Sequence, residues 1–164
     1  MRVIELSDAV GTEHRALDAI LRRLSSEQMR QKVAGTWTVK DVIGHIAAYE
    51  GVQRIDLAAG LGRGKEQPVY FDSYETWNEE QYNLRRDWTP GRVTAELHEN
   101  SARYLSLIKS LHEEDLIKHI RFPWGGQGTV HQMIVEGLDH AREHREQLAA
   151  AVGQTAYTGD TRKL

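Results

Sequence analysis

Cysteine is absent from this 164-residue chain, which excludes disulfides, thiolate metal ligands and a cysteine nucleophile. Any metal must therefore be held by nitrogen and oxygen donors. Proline occurs only three times, so little interrupts helices, and no apolar run approaches the length needed to cross a bilayer. The opening residues, Met1 to Asp8, lack the apolar centre of a secretory signal. Surplus positive charge is missing too. The formal net charge is −3, which argues against a protein built to coat phosphate backbones. The short basic pairs Arg22-Arg23 and Arg85-Arg86 read as solvated helix faces. Phosphate loops, nucleophile elbows and paired-carboxylate motifs are also absent, and Gly125-Gly126-Gln127-Gly128 reads as a turn rather than an anion site. What remains is a soluble, cytoplasmic globular domain whose partner is a small-molecule substrate, with no nucleic acid and no membrane.

Helical periodicity dominates the chain. Leu6, Val10, Leu17, Leu21 and Leu24 form one stripe over about Ser7 to Leu24. Ser25 to Gly35 reads as a connection. Thr38 with Asp41 forms a capping box for a second helix, whose inward side carries Val39, Val42, His45, Ile46, Tyr49 and Leu57. Gly60, Gly62 and Gly64 end it. Tyr74, Trp77, Gln81, Leu84 and Trp88 mark a shorter helix. Thr89-Pro90 then caps a third long helix with Val93, Leu97, Ser101, Tyr104, Ile108 and Leu111 inward. After a turn-rich stretch from Phe122 to Gly128, Thr129 and Gln132 cap the last helix. Its inward side carries Val130, Met133, Ile134, Gly137, Ala141 and Leu148, and Gly153 stops it. The fold class is all-α: a four-helix bundle over residues 1–153, with one long crossover holding the extra short helix. Residues 154–164 read as a flexible tail.

Three of the eight histidines stand out. At roughly 100° per residue, His140 and His144 lie about 40° apart on one helix wheel, inside the apolar arc, while Arg142, Glu143, Arg145 and Glu146 occupy the polar arc. His45 is inward on another helix. Burying three imidazoles among aliphatic side chains is unfavourable unless their nitrogens are occupied. A divalent metal is the economical occupant, and zinc or nickel suits the donor set best, with iron, manganese and cobalt also open. Gly137, one turn before His140, leaves room for a ligand to approach.

The stretches Trp37–Glu50 and Thr129–Leu148 resemble the second and fourth helices of the DinB/YfiT-like superfamily. That resemblance implies a four-helix bundle with a three-histidine metal site, and His45, His140 and His144 match the ligand positions. Some relatives with glutamate in place of one histidine are thiol-dependent isomerases; here that position is His140, the all-histidine pattern. The Trp77-Asn78 segment and Trp37 to Asp41 also look like the branch that includes a colibactin-resistance protein. Relatives of this kind pair, which implies a homodimer.

Around the histidines, Tyr49 and Asp41 each lie one turn from His45. Either is placed to touch a bound ligand or orient an imidazole, against the plainer readings of core tyrosine and helix cap. Glu136, one turn before His140, is the best-placed carboxylate for general-base work, against the reading of a solvated helix-edge acid. His14 is a candidate fourth ligand or supporting group at the site, against the favoured reading of a core-edge histidine with a backbone or water partner. His98, His112, His119 and His131 read as surface. Of Tyr74, Trp77, Trp88 and Trp124, only Trp124 reads as a pocket residue. Two functions follow. One is a metal-dependent enzyme, a transferase or hydrolase that activates a low-molecular-weight thiol or water against a small electrophile, as in detoxification. The alternative is a non-catalytic bundle that binds and sequesters a small molecule.

Overall fold

The computed structural model describes residues 1–153. The tail expected from residue 154 onward lies outside the described residues. Four long helices, α1 (Val3–Leu21), α3 (Val39–Gly60), α5 (Pro90–Lys109) and α6 (Val130–Ala151), form the bundle. The connections hold α2 (Ser26–Met29), α4 (Tyr74–Arg85) and one 3-10 turn (Glu113–Asp115). Side-chain caps fix most helix starts: Thr38, Ser73, Thr89 and Thr129 each accept a backbone N–H of the first turn. Such caps contribute about 1 kcal/mol each. α1 begins a turn earlier than its apolar stripe, because Glu5 reaches back to accept the Arg2 N–H at 2.6 Å. At the other end of α6, Gly153 takes the left-handed φ of +68° that ends the helix.

Two small antiparallel hairpins stand where the sequence reads as connections. β1 (Lys32–Ala34) pairs with β2 (Trp37–Thr38), and β3 (His119–Arg121) pairs with β4 (Gln127–Thr129). Strands this short carry no readable alternation. Each hairpin ends in the threonine that caps the next long helix, so it aims α3 or α6 as it leaves the turn. α3 and α6 run antiparallel. The Gln53 amide donates to the Met133 carbonyl at 3.3 Å, and from that contact His45 lies about two turns back along α3 while His140 lies about two turns forward along α6. The first third of α3 therefore faces the second half of α6.

α3 is buried on nearly every face, with Val39, Ile43, Ile46, Ala47 and Leu57 inaccessible. It packs most extensively on α5. One apolar cluster gathers around Leu57, Ile108, Met133 and Ile134, a second around Val42, Ile43, Leu97 and Leu148. A smaller third cluster, Ala48, Tyr49, Val52 and Trp77, borders the histidines. Here the short helix departs from its periodicity. Leu84 is 58% exposed, while Arg85 is buried, because α4 lays Trp77 and Arg85 on the bundle and Arg85 finds Glu96 there. The reading of Arg85 as a solvated cation is therefore corrected; Arg86 stays exposed. Among the described residues, no helix is long and apolar enough to cross a membrane.

Candidate metal centre

The antiparallel register brings His45 of α3 against His140 and His144 of α6. His45 Nε2 lies 2.9 Å from His140 Nε2, which lies 3.1 Å from His144 Nε2. The three rings are steeply inclined to one another, at 60°, 79° and 77°. Among the described residues these three form the only His, Asp or Glu group close enough to hold a metal ion.

Hydrogen bonding among the rings alone leaves this arrangement unsatisfied. His144 Nδ1 lies 2.9 Å from Gln147 Oε1, an atom that only accepts, so the His144 proton sits on Nδ1 and its Nε2 is a bare lone pair. His140 Nε2 has a nitrogen on either side. A proton on it satisfies one neighbour and leaves the other poorly aimed; without one, it sets its lone pair against that of His144. Protonating the rings offers no escape. Burial, reinforced by the neighbouring imidazoles, lowers the His45 pKa to about 3 and the His140 pKa to about 2, and burial also lowers that of His144. A cation at the centre resolves the conflict. Nitrogens about 2.0–2.1 Å from one ion stand about 3.0 Å apart at right angles and about 3.4 Å apart in a tetrahedron. Two of the three spacings fall beside the first value, and all three nitrogens lie within 4.8 Å of one another, so the residues fit the group.

Surrounding residues divide between support and scenery. Tyr49 is buried and stacks on His140, with ring centroids 3.8 Å apart, fixing the orientation of that imidazole. Trp124 stacks on the outer side of Tyr49 at 5.5 Å, and Tyr74 stands beyond it at 6.4 Å. Burial, with the Tyr74 hydroxyl and the Glu136 carboxylate nearby, pushes the Tyr49 hydroxyl well above its usual pKa. Glu136 is exposed overall, yet partial burial raises its carboxyl as well. It stands outside the histidine cluster. Asp41 works as a cap, accepting from both the backbone N–H and the hydroxyl of Thr38 at 2.9 Å.

Four expectations are corrected. The space beside Gly137 is not open to a ligand: a Cβ there would meet the Gln53 amide at 2.3 Å, so the glycine lets α3 and α6 approach around a buried glutamine. Arg145, placed by periodicity on the polar arc, is only 5% exposed and pairs with buried Glu13 of α1. His14 contacts a carboxylate rather than backbone or water, with Nε2 2.7 Å from Glu50 Oε1; Ser101 donates to the other oxygen of Glu50. His131 is half-buried, with its ring 3.2 Å from the N-terminal amine. Gln147 went unread; the signal for it is its place three residues after His144, on the same helix face.

The buried histidines carry a consequence for acid stability. Unfolded histidine titrates near pH 6.5, whereas folded His45 and His140 resist protonation down to about 3 and about 2. Below pH 6.5 the unfolded chain therefore binds more protons, and metal-free protein loses stability as pH falls, by up to about 1.4 kcal/mol per unit for each histidine. Asp56, raised by burial to about 6, works in the opposite direction below that pH. Urea midpoints of chelator-treated protein between pH 7 and pH 5 are expected to fall less steeply in His140→Asn than in the wild type. Equal slopes would remove the histidines as the cause.

Four long packed helices with an internal three-histidine cluster at the seam between antiparallel α3 and α6 define the class. The sequence profile of the DinB superfamily matches residues 10–148, and the chain belongs to that superfamily. No curated protein matches significantly. Among solved structures, the mycothiol-dependent maleylpyruvate isomerase is similar with a TM-score of 0.75 at 16% identity. The match covers 98% of this chain but 64% of the isomerase, so this chain spans less than two thirds of that protein. The colibactin self-resistance protein ClbS, solved in complex with a double-stranded DNA, gives 0.72 at 16% identity, covering 94% of this chain and 98% of ClbS. YfiT from Bacillus subtilis, described as a probable metal-dependent hydrolase with an unusual four-helix bundle topology, gives 0.71 at 18% identity, covering 93% of this chain and 89% of YfiT. At such identities the likeness shows a shared fold.

Proposed function

We propose that this chain is a divalent-metal-dependent enzyme that activates a low-molecular-weight thiol, or water, against a small electrophilic molecule. The observation that carries the reading is the convergence of three Nε2 atoms that neither hydrogen bonds nor protonation can satisfy together. His45, His140 and His144 would hold the cation, and zinc or nickel suits neutral nitrogen donors. When bound, such an ion supplies Lewis acidity that lowers the pKa of a thiol or water towards neutrality.

The chain's own groups complete the chemistry. Tyr49 keeps its proton, so its hydroxyl serves as a hydrogen-bond donor to charge developing beside His140, not as a base. Glu136, with its raised pKa one turn before His140, is the group placed to take a proton from the nucleophile. The stacked rings of Trp124 and exposed Tyr74, backed by buried Tyr49, offer flat apolar walls to a substrate. Thiol transfer is preferred to hydrolysis on the family resemblance, with a mycothiol-dependent isomerase among the fold's neighbours.

One observation favours a second reading, in which the bundle binds a small molecule without turnover. Glu136 is exposed and stands apart from the cluster, leaving the histidines without a buried acid or base. The decisive assay follows consumption of a thiol-reactive electrophile by zinc- or nickel-loaded wild type, chelator-treated wild type and His144→Ala. Multiple turnovers by the loaded wild type alone are expected. Stoichiometric binding without turnover would select the sequestering reading instead.

A further inference from the structure

His45 turns Nε2 toward the other two imidazoles, so its second ring nitrogen points elsewhere. That atom, Nδ1, is buried and has no hydrogen-bond partner among the described residues. His45 also lines a small, partly enclosed cavity between α3 and α4, with about 10 Å3 of room for the centre of a water molecule. Most polar groups around this cavity are committed elsewhere. Lys40 Nζ donates to the carbonyls of Arg85, Arg86 and Trp88 at 3.3, 2.6 and 3.0 Å. Arg85 gives two N–H groups to Glu96, at 2.6 and 2.7 Å, and a third to Gln81. Two buried side-chain atoms of the lining residues remain unpaired: His45 Nδ1 and Asn78 Oδ1.

Their chemistry is complementary. An imidazole that offers the Nε2 lone pair to a cation carries its proton on Nδ1 and needs an acceptor there. An amide oxygen accepts and needs a donor. A space of this size, bordered by two residues with unpaired polar atoms, is the kind that holds an ordered water. We propose that Asn78 is the positioning residue for His45: its Oδ1 accepts the His45 Nδ1–H through one water in this cavity, holding Nε2 as a free lone pair within the histidine cluster. On His144 the same duty falls to Gln147 directly. The functional consequence rests on the metal reading proposed above, whereas the tautomer does not.

Two measurements separate the ideas. Long-range proton–nitrogen correlation spectra of nitrogen-15 labelled, metal-free protein read the His45 tautomer. The wild type and Asn78→Asp, which keeps an acceptor, are expected in the Nδ1–H form, whereas Asn78→Leu is expected to shift toward Nε2–H. Zinc affinity, by competition with a chromophoric chelator, is expected to fall about 10–100-fold in Asn78→Leu and to hold in Asn78→Asp. Asn78→Ala gives the same reading should the leucine variant fail to fold. Unchanged tautomer and affinity in Asn78→Leu, or an equal fall in Asn78→Asp, would overturn the role of Asn78. A wild type that takes up no zinc would defeat the metal reading alone, and the tautomer comparison would still decide for or against Asn78.

Discussion

Replacing any one of His45, His140 or His144 with alanine is expected to weaken zinc or nickel binding by more than about 100-fold. Loss of an outer hydrogen-bond partner of a metal ligand already costs about 10–100-fold, and these residues would be the ligands themselves. Here the loss is sharpened because two nitrogens leave the cation without the third corner of a cluster whose spacings are 2.9 and 3.1 Å. The same variants provide a thermodynamic check. A metal at about 100 times its dissociation constant stabilises the folded state by about 2.7 kcal/mol, so its addition should raise the melting temperature of the wild type and leave the variants unmoved. His140→Ala and His144→Ala are cleaner than His45→Ala, since those two rings are only half-buried and truncation disturbs the core less. Equal affinity in wild type and all three variants would dispose of the site.

The second large effect lies away from the histidines, in the Glu13–Arg145 pair between α1 and α6. Both residues are buried, at 7% and 5% exposure, and Arg145 Nη1 has no hydrogen-bond partner among the described residues. Removing the carboxylate leaves the buried guanidinium with only the exposed Glu146 carboxylate, 3.9 Å away, and loss of a buried partner costs about 3–5 kcal/mol. Domains of ordinary size hold about 5–15 kcal/mol in total, so Glu13→Ala should unfold roughly 10 °C lower. The double variant Glu13→Leu with Arg145→Met should recover most of that loss, because well-packed apolar replacements of buried ion pairs are often neutral or stabilising. Thermal unfolding of the three proteins decides it. A single variant melting with the wild type would show that the pair is solvated in practice.

The long helices and the three histidines were legible in the sequence for a physical reason. The stripe from Val130 to Leu148 keeps its helical period over many turns, and inward histidines are too costly to be ornament. Caps such as Thr38 with Asp41 and Thr129 with Gln132 were legible because the boxes are local, three residues from end to end. What escaped depends on partners far away in sequence. Arg145 reads as polar surface until Glu13, on another helix, turns out to face it; Arg85 likewise awaits Glu96. The space beside Gly137 looked free because nothing local shows that Gln53 fills it. The hairpins were hidden by brevity, since two- and three-residue strands carry no pattern of their own.

X-ray absorption at the metal edge of the loaded wild type reads the coordination itself. Three imidazole nitrogens at about 2.0–2.1 Å, with water oxygen completing the shell, are expected. A shell of oxygen donors without imidazole, or an edge signal that survives unchanged in His140→Ala, would contradict the account.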